Sequence, residues 1–132
     1  MNKTSVKYFT PEEARKTLPL VKQIVRDILN KGCQIRTIVD KLNGNIEIND
    51  ELQYLIEEME AYINELKEIG CYYKDWNFLI GLVDFPSIID GKEVYLCWKS
   101  DEEDILYYHG INEGYAGRKI IPVKEKGDPN SK

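Results

Sequence analysis

No stretch of this chain approaches the roughly 18 consecutive apolar residues that suggest a bilayer span. The opening Met1-Asn2-Lys3-Thr4-Ser5-Val6-Lys7 also lacks the apolar run that a secretory signal needs. These shortages give the expectation of a cytoplasmic protein with no membrane partner. Cysteine is scarce: Cys33, Cys71 and Cys97 are odd in number and far apart, with no Cys-x-x-Cys pair. That pattern signals neither a disulfide framework nor a zinc cluster, and the three read as buried free thiols. Histidine is scarcer still, with His109 alone, so histidine-dependent chemistry has to use it. Positive charge is in deficit, 18 Lys and Arg against 23 Asp and Glu. The net charge of −5 repels phosphate backbones, so no nucleic-acid partner is expected.

What is present is ordinary for a globular domain: 132 residues, 42% hydrophobic and 31% charged. One domain over 1–132 is expected, because this length builds one modest core. Thr10-Pro11-Glu12-Glu13 is a helix start: Thr10 can cap, Pro11 loses no useful donor at the first position, and Glu13 completes a capping box. From Val21 the apolar residues Ile24, Val25, Ile28, Ile35, Ile38, Val39 and Leu42 form one stripe on a seven-residue repeat, interrupted at Lys31-Gly32. Pro19 predicts a kink, or a short first segment ending near Leu18. Gly32 reads as a second soft point costing about 1 kcal/mol against Ala. Asn43-Gly44-Asn45 stops this helix, and Asn49 or Asp50 can cap the next. In the second helix Leu52, Leu55, Met59, Tyr62, Leu66 and Ile69 repeat with Ile56 and Ile63 beside them, and Gly70 supplies the stop. Matching stripes joined by a short loop predict an antiparallel helical hairpin over about 10–70.

After Gly70 β-branched and aromatic residues alternate with turn signals, predicting a sheet region over about 72–123 and a disordered tail over about 124–132. Asp90-Gly91 is the strongest hairpin signal, suiting a two-residue turn with positive φ at both positions. It sets Asp84 opposite Cys97, Phe85 opposite Leu96 and Pro86 opposite Tyr95. A second turn through Ser100–Asp104 sets Lys99 opposite Ile105, Cys97 opposite Tyr107 and Tyr95 opposite His109. Alternation then puts Val83, Phe85, Leu96, Trp98, Leu106 and Tyr108 on the core face, and Asp84, Tyr95, Cys97, Tyr107 and His109 on the other. The fold class is α+β: a long antiparallel helical hairpin packed on a small antiparallel meander.

Chemistry is thinly signalled, and no catalytic residue can be assigned. In this register the Asp84 and His109 backbones stand roughly 12 Å apart across the central strand, too far for a direct side-chain bond. Too few ligands share a recognisable spacing to read a metal site, and no cofactor is expected. The loop Gly110–Lys119 is rich in glycine, so its amides could face an anion beside Arg118. The competing reading is a tight reversal in which Arg118 pairs with Asp84 or Glu113. Asp101-Glu102-Glu103-Asp104 reads as a solvated acidic turn.

Several stretches together resemble a known family. They are Tyr8-Phe9-Thr10-Pro11-Glu12-Glu13-Ala14-Arg15 with Leu18-Pro19-Leu20-Val21, then Gly81-Leu82-Val83-Asp84-Phe85-Pro86, Leu96-Cys97-Trp98, and Tyr107-Tyr108-His109 with Gly114-Tyr115-Ala116-Gly117-Arg118. In order and over Tyr8 to about Ile121, they resemble the bacterial domain-of-unknown-function family numbered twenty-two-oh-three. That family commonly has Trp at Tyr108, an acidic residue at Gly110 and Phe at Tyr115. The resemblance implies a small cytoplasmic bacterial protein and no activity that could be carried onto particular residues.

Two functional expectations follow. The first is an interaction module whose leftover helical stripe packs on a second copy, giving a homodimer. The second is a protein or enzyme that binds a small anionic ligand with Asp84, Tyr95, Tyr107, His109, Glu113, Gly114, Gly117 and Arg118.

Overall fold

The computed structural model describes residues 6–43 and 49–123. The expected disordered tail, and Gly44 and Asn45 of the expected helix stop, lie outside them. The capping box forms as read: Glu13 N–H donates to Thr10 Oγ1 at 3.1 Å and Thr10 N–H to Glu13 Oε1 at 2.9 Å. Helix α1 then runs from Pro11 to Leu42 and ends on Asn43 in the left-handed conformation. It continues through Pro19, so the short first segment does not exist. One lost backbone hydrogen bond is outweighed by burying Leu18, Val21, Ile24, Val25 and Ile28 on one stripe. Helix α2, Asp50–Ile69, is capped by the Asn49 side chain and stopped by Gly70.

Five strands follow: β1 Tyr72–Tyr73, β2 Leu82–Ile89, β3 Lys92–Lys99, β4 Tyr107–Gly110 and β5 Lys119–Ile120. They form an antiparallel meander in chain order. Asp90 and Gly91 have φ of 53° and 77°, the twist-compatible hairpin turn that the dipeptide favours. Asp84 therefore pairs with Cys97, Phe85 with Leu96 and Pro86 with Tyr95. On the next ladder Cys97 pairs with Tyr107 and Tyr95 with His109. Val83, Phe85, Leu96 and Trp98 are buried against α1 and α2, with Tyr108 half-buried beside them. The core's polar groups are satisfied: Ser87 Oγ donates to Phe9 O at 2.6 Å and Trp98 Nε1 to Glu102 O at 2.9 Å.

Four expectations are corrected. Leu106 is 46% exposed, and Ile105 takes the core place at 0%. The ladder starts only at Tyr107, because Ile105 O is held by Arg15 Nε and Leu106 O by Ile121 N. Residues 105–106 thus leave the alternation that runs through Tyr108, and Lys99 has no partner at Ile105. Cys33 is exposed while Cys71 and Cys97 are buried. Gly32 is not a soft point but a notch, since a Cβ there would stand 2.7 Å from Phe78 Cβ. Phe78 leads the 74–81 loop across the helix at that spot, and Arg36 donates to the carbonyls of Asn77 and Phe78.

This notch decides the sign of a substitution. Replacing Gly by Ala in a helix ordinarily stabilises by about 1 kcal/mol, whereas overpacking costs about 1–3 kcal/mol. Gly32→Ala should therefore lower stability by about 1 kcal/mol in urea unfolding; a rise would show that Phe78 does not occupy the notch.

Candidate functional site

The sheet face turned away from the helices carries Asp84 from β2, Tyr95 and Cys97 from β3, and Tyr107 and His109 from β4. Its polar members are not at the surface: Asp84 is 3% exposed, Cys97 2% and His109 3%. His109 Nε2 lies 3.2 Å from Asp84 Oδ1, which overturns the expectation that the two cannot meet. The backbones of β2 and β4 do lie on either side of β3, and the side chains close the gap. Cys97 separates the two strands with a small side chain, so the longer carboxylate and imidazole reach over it toward each other.

The other ring nitrogen determines the protons. His109 Nδ1 is 2.8 Å from Gly110 O, and a carbonyl can only accept, so Nδ1 carries hydrogen. Nε2 facing Asp84 then needs one further proton between nitrogen and carboxylate, whichever group holds it. Burial pushes the Asp84 carboxyl up from its ordinary value, and the facing His109 and the charge of Lys74 partly offset this. The Cys97 thiol, hydrogen-bonded to Asp84, is pushed up to about 12, chiefly by burial and next by the charge of Asp84. The Tyr95 ring lies 5.6 Å from that of His109, and Lys74 Nζ stands 6.0 Å over Tyr95.

Arg118 occupies the neighbouring stretch of this face. Its guanidinium lies 4.2 Å over the Tyr107 ring and 4.8 Å from that of Tyr115. Nη2 donates to Glu102 Oε1 at 2.6 Å and to Cys97 O at 3.1 Å. The pairing of Arg118 with Asp84 or Glu113 is thus corrected: Glu102 is the partner. Glu102 is not a solvated member of an acidic turn, since the reversal after Lys99 folds it back and Lys99 N–H donates to it at 2.9 Å. Only the acid run itself hinted at Glu102, and nothing singled out Lys74.

The glycine-rich loop faces a carboxylate of its own. Glu113 Oε1 accepts from Gly110 N at 2.8 Å and from Lys119 Nζ at 3.1 Å. Those bonds, the backbone one first, hold the Glu113 carboxyl below its usual range. Gly117 packs against Glu113, and Gly114 takes a positive φ before the short turn Tyr115–Gly117. Two clefts of about 340 and 430 Å³ open elsewhere, one at Val94, Tyr108 and Glu113 and the other at Leu29, Trp98 and Glu102. Neither is lined by His109 or Arg118.

Thiol labelling checks this burial. Cys71 is likewise pushed up to about 12 by burial, so at pH 8 each buried thiol is ionised to about one part in ten thousand. A disulfide reagent should modify Cys33 alone in the native protein and all three thiols in denaturant. Rapid native labelling of Cys97 would show that this face is open.

Neither the curated proteins nor the solved structures include a match to this chain. No helix among the described residues is long and apolar enough to cross a membrane. The helix start, the Asp84 strand, the Cys97 strand, and the His109 strand with its loop all lie within residues 7–121, which match the family model described as "Uncharacterized conserved protein (DUF2203)"; the chain belongs to that family.

Proposed function

We propose that this protein is a self-associating interaction module of the cytoplasm, built to pair the far half of its helical hairpin with the same half of a second copy. The observation that carries this reading is the uneven covering of α1. Its 32 residues extend about 48 Å, and its buried residues end at Gly32. Beyond that point Ile35, Ile38, Val39 and Leu42 are all only half-buried, as is Ile56 of α2. An apolar stripe left incomplete on two packed helices is completed by two more in a four-helix bundle.

Charge favours a two-fold arrangement. From residue 31 to 42, α1 carries Lys31, Arg36 and Lys41 against Asp40 alone, while residues 50–60 of α2 carry Asp50, Glu51, Glu57, Glu58 and Glu60 with no base. Lys31 and Glu58 pair within the chain at 2.6 Å. The remaining acids exceed the bases available to them, and a copy related by two-fold symmetry sets α1 against the partner's α2. Free thiols without a disulfide suit a reducing compartment.

Light scattering at tens of micromolar should give twice the chain mass. The exposed charge reversals Lys41→Glu and Glu51→Lys should each weaken the dimer about tenfold without changing the circular dichroism, and a mixture of the two variants should restore it. A monomer at that concentration, or variants that dimerise like the wild type, would remove the proposal.

A second reading, a small anion or an enzyme substrate beside Arg118, has one observation in favour: among the described residues, buried Arg118 Nε has no hydrogen-bond partner. It requires the guanidinium to leave Glu102. Phosphate or a dicarboxylate should then raise Tm in the wild type and leave Arg118→Lys unmoved.

A further inference from the structure

We propose that Asp84, Cys97 and His109 form a binding site for a divalent transition metal of the zinc class. The three sit on adjacent strands, two as cross-strand partners and the third one diagonal step away. One ligand atom from each lies within 4.8 Å of the others, and all three residues are buried. Four-coordinate zinc, with bonds of about 2.0–2.3 Å, holds its donors roughly 3.3–3.8 Å apart. The Asp84–His109 separation of 3.2 Å falls just short of that range, and small side-chain rotations open it slightly and bring in the sulfur.

Two further features separate this cluster from a buried ion pair that merely satisfies itself. The first is the hold on the imidazole. Metal-bound histidines almost always donate their second ring N–H to a carbonyl or carboxylate, which aims the other nitrogen at the ion. His109 does this through Gly110 O at 2.8 Å, and the aimed nitrogen faces both other donors. The second is charge balance. With no ion present, the site holds one proton on the Cys97 sulfur and one between Asp84 and His109. A divalent cation replacing those two protons leaves thiolate, carboxylate and neutral imidazole around two positive charges, so the buried net charge is zero before and after. Exchange therefore avoids the penalty of burying an uncompensated ion. The mixed nitrogen, sulfur and oxygen set suits Zn²⁺ or Co²⁺ and not Mg²⁺ or Ca²⁺, which demand oxygen donors. Three protein donors leave a fourth position for water or a small ligand.

The test is titration of the full reduced chain with Co²⁺ and, separately, Zn²⁺. Expected are the near-ultraviolet sulfur-to-cobalt charge-transfer band with the visible bands of a four-coordinate ion, saturating at one equivalent. Zn²⁺ should displace the Co²⁺ and raise Tm by about 4 °C or more. Cys97→Ser, nearly isosteric, should abolish the charge-transfer band with its circular dichroism unchanged, while Cys33→Ser and Cys71→Ser keep it. Absence of the band in the wild type overturns the site without any variant. Its persistence in Cys97→Ser, or its loss in Cys33→Ser, would equally overturn it by showing that the ion binds elsewhere. Because Asp84, Cys97 and His109 lie far along the chain from the helical tip, either proposal can fail alone.

Discussion

Everything distinctive about this molecule depends on the register of one hairpin. With Asp90 and Gly91 both at positive φ, the turn admits two residues and no more, and β2 meets β3 with Phe85 against Leu96 and Asp84 against Cys97. A slip of one residue turns each strand over. Trp98 and Phe85 would then face away from the helices, and a carboxylate and a thiol would be pressed into the apolar core. Burying an aromatic side chain is worth about 2–3 kcal/mol, and burying an unpaired carboxylate costs more than that. The register is thus enforced twice, by the turn and by the burial of both faces.

Burial on both faces is unusual for a five-stranded antiparallel meander, which commonly leaves one side to water. Here the second side is closed by its own aromatic and cationic side chains. Tyr95 lies beside His109, Lys74 over Tyr95, and Tyr107 and Tyr115 flank Arg118. Glu102 neutralises Arg118 at 2.6 Å and completes the cover. The cover isolates Asp84, Cys97 and His109 in a low dielectric, where a single proton binds two of them together. Such a cluster is a weak source of stability, since replacing buried ionic groups by apolar ones is often neutral or stabilising.

The helical hairpin shows a complementary economy. Its near half is held by the sheet, with Gly32 and Phe78 marking the place where the 74–81 loop crosses α1. Past that crossing the helices, among the described residues, have only each other, and Ile35, Ile38, Val39 and Leu42 keep the period of a core without its full burial. The chain thus holds two separable features, a buried polar centre in the sheet and an incomplete apolar seam at the helical tip.

Local chemistry made much of this legible before any coordinates. The capping box at Thr10 and Glu13, the stop at Gly70, the turn at Asp90-Gly91 and the strand pairing it implies are nearest-neighbour effects, each decided within a few residues. What the sequence could not decide depends on where side chains end and not on where they start. Asp84 and His109 meet because both reach past a small Cys97. Arg118 takes Glu102 because the chain reverses after Lys99, and Gly32 is a notch because Phe78 arrives from 46 residues downstream. Spacing along the chain determined the two helices, the central strands and the register set by the Asp90-Gly91 turn. Only the tertiary structure decided which polar groups share a proton, a ring or a charge, because those contacts join atoms far apart in sequence at distances from 2.6 to 4.8 Å, a scale that residue periodicity does not resolve.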